Sequence, residues 1–145
     1  MMFGQDRDQL RRFFIEAWRK QCEGLPLQPL EAEIAAVVTE HPEYHPLLAD
    51  PEHALALDAD PEAGQSNPFL HMGMHLAIRE QLSTDRPPGI LSVFQALRQR
   101  SGDPHDAEHR LMECLGECLW EAARTGQPPD DHAYLECARR LTSSV

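Results

Sequence analysis

Residues 67–81 read NPFLHMGMHLAIREQ. Asn67 has a side chain suited to capping a helix, and Pro68 follows at the first-turn position that proline tolerates best, so a helix starts here. From Phe69 to Ile78 the only polar side chains are His71 and His75. A helix apolar nearly all the way round belongs among other helices rather than at a solvated surface. It runs to about Thr84, where DRPPG breaks it.

Both sides of this stretch repeat the pattern of helices punctuated by proline. Asp6 to Glu23 places Leu10, Phe13, Phe14, Ala17 and Trp18 on one helical face before Gly24 and Pro26 stop it. Pro29 to Glu40 carries a stripe of Leu30, Ile34, Val37 and Val38. The next section holds five prolines, Pro42, Pro46, Pro51, Pro61 and Pro68, and is expected to form turns around one short helix near Glu52 to Leu57. Beyond the quoted helix, Gly89 to Arg100 presents Ile90, Val93, Phe94 and Leu97. Asp103-Pro104 repeats the Asn67-Pro68 start and opens a long helix ended by Gly126, and Asp131 to Leu141 forms a last one. No stretch alternates with period two. The expectation is an all-α, compact helical bundle of about five to seven helices in a single domain over residues 1–145.

Charge narrows the partners. Twenty-four acidic residues against thirteen basic ones give a formal net charge of −11, which repels a phosphate backbone. Nucleic acid and anionic membrane are therefore excluded as main partners. The first dozen residues are charged and no run approaches the roughly 18 apolar residues of a membrane span, so a cytoplasmic protein is expected. The four cysteines, Cys22, Cys114, Cys118 and Cys137, form no C-x-x-C, and Cys114 with Cys118 at helical spacing reads as buried reduced thiols.

Six of the eight histidines fall into H-x-x-x-H pairs: His41 with His45, His71 with His75, and His105 with His109. Residues four apart on a helix lie on one face, separated by about 6 Å along the axis, so two imidazoles at that spacing can converge on one ion. For His71 and His75 the apolar surroundings imply burial, and a buried imidazole needs a partner for each ring nitrogen. On the long helix after Pro104, Leu111, Met112, Leu115, Leu119 and Ala122 define the inner face, with Glu108 pointing into it and His105 and His109 flanking it. Glu113 lies one turn beyond His109 as a further carboxylate ligand, whereas Glu117 reads as a solvated flank. His45 ranks above His41, which suits a helix C-terminal cap. His53 and His132 read as surface residues.

HDAEH also spells the inverted zinc-protease pattern, but too little chain remains after His109 for the downstream ligand that pattern needs. No serine lies in a nucleophile elbow.

The combination EHPEYH, NPFLHMGMHLAIREQ with DRPPGI, AEHRLMECLGECLWEA and GQPPDDHAYLECARR resembles a small bacterial domain of unknown function, the family numbered eighteen forty-one. The resemblance covers nearly the whole chain and implies a compact helical protein without an assigned activity. Chemistry therefore carries the functional expectation. His45, His71, His75, His105, His109 and Glu113 are the candidate ligands of one or two transition-metal ions, iron or zinc with manganese also suited, and Glu108 is the candidate catalytic base. The protein would then be a metal-dependent oxidoreductase or hydrolase acting on a small molecule. The alternative is a non-catalytic protein-interaction module with structural histidines.

Overall fold

The structure is a computed structural model and describes residues 3–57 and 67–143; the turns expected over 58–66 lie outside the described residues. Among the described residues there is no strand, and eight α-helices run in order: α1 (Phe3–Glu23), α2 (Pro29–Thr39), α3 (His45–Leu48), α4 (Pro51–Ala56), α5 (Pro68–Thr84), α6 (Ile90–Ser101), α7 (Pro104–Thr125) and α8 (Asp131–Ser143). The all-α class stands. The count exceeds five to seven because the proline-rich segment forms a 3-10 turn, Pro42–Tyr44, and two short helices where one was expected. Pro42, Pro46 and Pro51 each occupy the first turn of their element. There the missing N–H costs nothing, so these prolines start helices rather than disturb them. No helix among the described residues is long and apolar enough to cross a membrane.

The chain divides into two compact units, Met1–Leu76 and Ala77–Val145, with the division inside α5. The core of the first unit joins Phe14 and Ala17 of α1, Ile34, Val37 and Val38 of α2, Leu48 of α3, Ala54 of α4, and Phe69 and Met72 of α5. Phe14 and Phe69 meet edge to face with ring centroids 5.8 Å apart, a favourable arrangement of their quadrupoles. The apolar stripe is narrower than the periodicity suggests, because Leu10, Phe13 and Leu30 are all at least two-fifths exposed.

Arg11 is 2% exposed within this core. Its Nη1 donates to the carbonyls of Ala54 (2.9 Å), Leu55 (3.3 Å) and Leu57 (2.7 Å), and its guanidinium lies 4.9 Å from the Phe69 ring centroid. These carbonyls belong to the C-terminal end of α4, where intrahelical donors run out and the helix dipole favours a cation. At the α1–α2 turn, Gly24 adopts φ of +70°, a conformation glycine reaches without a Cβ penalty. Beyond it the Gln28 N–H donates to Glu31 Oε1 at 2.8 Å and Lys20 Nζ reaches Glu31 Oε2 at 2.9 Å.

In the second unit Ile78, Ile90, Val93, Phe94, Leu97, Ala107, Leu111, Met112, Leu135 and Ala138 are buried. The buried Tyr134 of α8 donates its hydroxyl to Gln81 Oε1 of α5 at 2.6 Å, and burial pushes that phenol well above its ordinary titration range. Asp85 Oδ1 accepts the N–H groups of Gly89 (3.2 Å) and Leu91 (3.0 Å), turning the chain from α5 into α6. Cys114 of α7 and Cys137 of α8 form a disulfide with Cα atoms 5.8 Å apart. This corrects the expectation of reduced thiols: spacing along α7 pairs Cys114 with Cys118, but the partner arrives from the neighbouring helix, and Cys118 stays free.

Two measurements test this packing in the first unit. Arg11→Met keeps most of the volume and no donor, leaving the α4 carbonyls short of a partner, so urea unfolding should show a loss of about 3 kcal/mol. The backbone hydrogen bond from Gln28, and after it the Lys20 ammonium, hold the Glu31 carboxyl below its usual range. A group lowered in this way contributes stability above its unfolded titration and loses it as pH falls through the folded value. Urea midpoints should therefore drop on acidification, and Glu31→Gln should flatten that dependence.

Candidate functional site

Among the described residues five charged or polar side chains are buried: Arg11, Glu31, His41, His75 and Glu108. Arg11 and Glu31 serve the first unit's packing, which leaves two histidines and a glutamate whose burial needs another account.

His41 lies just past the end of α2. Its backbone N–H donates to Val38 O at 2.9 Å, and its Nδ1 lies 2.7 Å from Val37 O. A carbonyl only accepts, so Nδ1 carries the proton, and a neutral imidazole then has its lone pair on Nε2. Carbonyl-anchored imidazoles of this kind are what metal-ligating histidines usually show. The ring lies 4.7 Å from that of His75 and 5.1 Å from that of His71, centroid to centroid, and stacks on Tyr44 at 5.5 Å. Burial, with Glu43 adding to it, pushes the Tyr44 hydroxyl above its ordinary range.

On α5, Asn67 Oδ1 caps the first turn by accepting the Phe69 N–H at 2.9 Å. His71 and His75 then stand one turn apart with centroids 4.9 Å apart. His75 is fully buried, whereas His71 is half-buried because this side of the helix also leaves Leu70 60% exposed. The helix is thus less enclosed than its composition implies. His45 is placed differently. Its Nε2 lies 2.8 Å from Val38 O and its ring stacks on Trp18 at 4.4 Å, which ties the 3-10 turn and α3 to α1 and α2.

In the second unit, Asp103 Oδ1 accepts the His105 N–H at 3.0 Å and starts α7. His105 and His109, both half-buried, stand edge to face with centroids 4.3 Å apart. Between them in sequence Glu108 is 7% exposed, and Arg79 Nε of α5 reaches its Oε1 at 3.2 Å. Glu108 thus lies inward, where the helical wheel puts it, with Arg79 as a partner the wheel does not supply. Glu113 and Glu117 are exposed on α7. Farther along the inner face, Leu119 is 42% exposed, so the buried stripe of α7 ends near Cys114. His53 and His132 are exposed, their N–H groups held by the helix-starting Asp50 and Asp130.

The family described as Domain of unknown function (DUF1841) matches residues 6–140. The chain belongs to the DUF1841 family. No curated protein and no solved structure matches it. For the DUF1841 chain the chemistry of the site therefore rests on its own residues. Sequence reasoning underrated His41, whose burial depends on the chain folding back through the 3-10 turn, and passed over Arg79. The available signal for Arg79 was its place four residues after His75, at the end of the apolar run and on the same helical face.

The Arg79–Glu108 pair has side chains 26% and 9% exposed. Removing one partner of so enclosed a pair strands the other charge. Arg79→Met should lower unfolding free energy by about 3 kcal/mol, and adding Glu108→Leu to it should restore part of that loss. Additive losses in the double mutant would show that the two groups are not coupled.

Proposed function

We propose that the DUF1841 chain is a metalloprotein in which His41, His71 and His75 hold one transition-metal ion, each offering one ring nitrogen. The observation that carries this reading is the buried His41 ring, 4.7 Å from that of His75 and 5.1 Å from that of His71, centroid to centroid. His71 and His75 stand one turn apart on α5 and so share a face. His41 adds a nitrogen whose lone pair is fixed by the Val37 carbonyl.

His105 and His109 form a second imidazole pair within the second unit, and His45 and Glu113 suit ligation less well, since His45 is engaged by Val38 O and Trp18 and Glu113 is exposed. Imidazoles without a ligating carboxylate suit zinc or iron better than manganese. When bound, such an ion supplies Lewis acidity and, with an open position, an activated water. In the second unit Glu108 is the candidate base, buried on α7, flanked in sequence by His105 and His109 and held by Arg79. On this reading the chain is a metal-dependent hydrolase or oxidoreductase.

The alternative, an interaction module with hydrogen-bonded histidines, has in its favour the two imidazole-to-carbonyl contacts at Val37 and Val38. Metal analysis separates the two readings. Protein purified without chelators should carry about one equivalent of iron or zinc by plasma mass spectrometry. His41→Ala and His75→Ala should each abolish it, while His53→Ala should not. A chelator should lower the thermal midpoint, and metal at a thousandfold excess over its dissociation constant should return about 4 kcal/mol of stability. A metal-free protein whose stability ignores chelator would establish the interaction module instead.

A further inference from the structure

The second half of α7 and the length of α8 enclose an open groove of about 1150 Å³. The Cys114–Cys137 disulfide fixes the two helices against each other, and Cys137 is part of the lining. Small half-buried residues, Gly116, Cys118 and Ala122, form its apolar lining. Trp120, at 66% exposed, is the most exposed of the large hydrophobic side chains in the described residues, and it stands on the groove wall. Leaving that much indole in water is a feature of protein-contact surfaces rather than of ordinary solvated helix faces.

The charge around this lining is one-sided. Glu117, Glu121, Asp130 and Glu136 line the groove against a single base, Arg140. Of the acids, Glu121 is already matched by Arg124. The Cys118 thiol registers the imbalance: after burial, the charges of Asp130, Glu117 and Asp131 push it above its ordinary range. The Arg124 guanidinium lies 5.7 Å from the Trp120 ring centroid, a distance at which a cation is attracted to an indole face.

We infer that this groove docks a basic amphipathic helix of a partner protein, with an apolar side chain seated on the Gly116–Ala122 lining beside Trp120 and lysines or arginines over Glu117, Asp130 and Glu136. Helix-in-groove recognition supplies apolar anchors at one-turn spacing, and complementary charge supplies orientation and association rate. A second copy of this chain fits poorly, since it brings a net charge of −11 to an acidic groove. A small polycation answers the acids but leaves the indole and the apolar lining uncovered.

The test is isothermal titration of the full chain with a synthetic amphipathic helical peptide of leucine and lysine. A peptide with glutamate in place of every lysine, and spermine, serve as comparisons. The lysine peptide should bind, with affinity lowered at least about tenfold by Trp120→Ala and by the pair Glu117→Gln/Glu136→Gln, and lowered by added salt. All three substituted side chains lie on the groove rather than in the core, and circular dichroism of each variant should match the parent. The inference is overturned if the lysine peptide does not bind, if the glutamate peptide binds equally, if spermine binds as tightly as the lysine peptide, or if Trp120→Ala leaves the affinity unchanged.

Discussion

A buried imidazole must satisfy two ring nitrogens, and in the first unit one of them is answered by backbone. His41 lies against the Val37 carbonyl and His45 against the Val38 carbonyl, two acceptors at the end of α2 that also take the backbone N–H groups of Glu40 and His41 and so use both lone pairs. This constraint shapes the local chain. The 3-10 turn Pro42–Tyr44 is just long enough to bring the second histidine back to the same helix end. Tyr44 and Trp18 then cover the two rings. One helix C-terminus thus orients two histidines, and only His41 is directed toward the imidazoles of α5.

The second unit solves a different problem with a charge. Glu108 is enclosed on the core side of α7, and the Arg79 guanidinium meets it from α5. Such a pair contributes little net stability compared with an apolar pair of the same shape, because both ions lose water. Its value lies in register, since a glutamate and an arginine that must meet fix which turn of α5 faces which turn of α7. Tyr134 and Gln81 do the same between α8 and α5 with a neutral hydrogen bond.

The helices with strong punctuation were legible in the sequence. Asn67-Pro68 and Asp103-Pro104 announce α5 and α7, and the structure shows both side chains capping as expected. Glu108 was legible because a helical wheel places it among leucines. The short α3 was hidden because proline reads equally as a breaker and as a first-turn residue, and the choice depends on whether the next residues find a core to pack against. His41 was hidden for another reason: helical phase ranks residues within a helix, and His41 lies just past the end of one. The Cys114–Cys137 bridge joins two helices whose relative rotation no single periodicity contains. The histidine spacing showed which residues share a face; the carbonyl contacts that set the tautomer of His41 belong to tertiary structure alone.

The Arg11 contacts have a consequence for the order in which the first unit is built. The acceptors of this buried cation lie 43 to 46 residues farther along the chain. During synthesis α1 and α2 emerge with their apolar faces complete, yet the acceptors for the guanidinium do not exist until residue 57 has been made. The α1–α2 hairpin therefore has to keep Arg11 hydrated until α4 arrives. A single arginine thus makes sealing of this core wait for a later stretch of the chain.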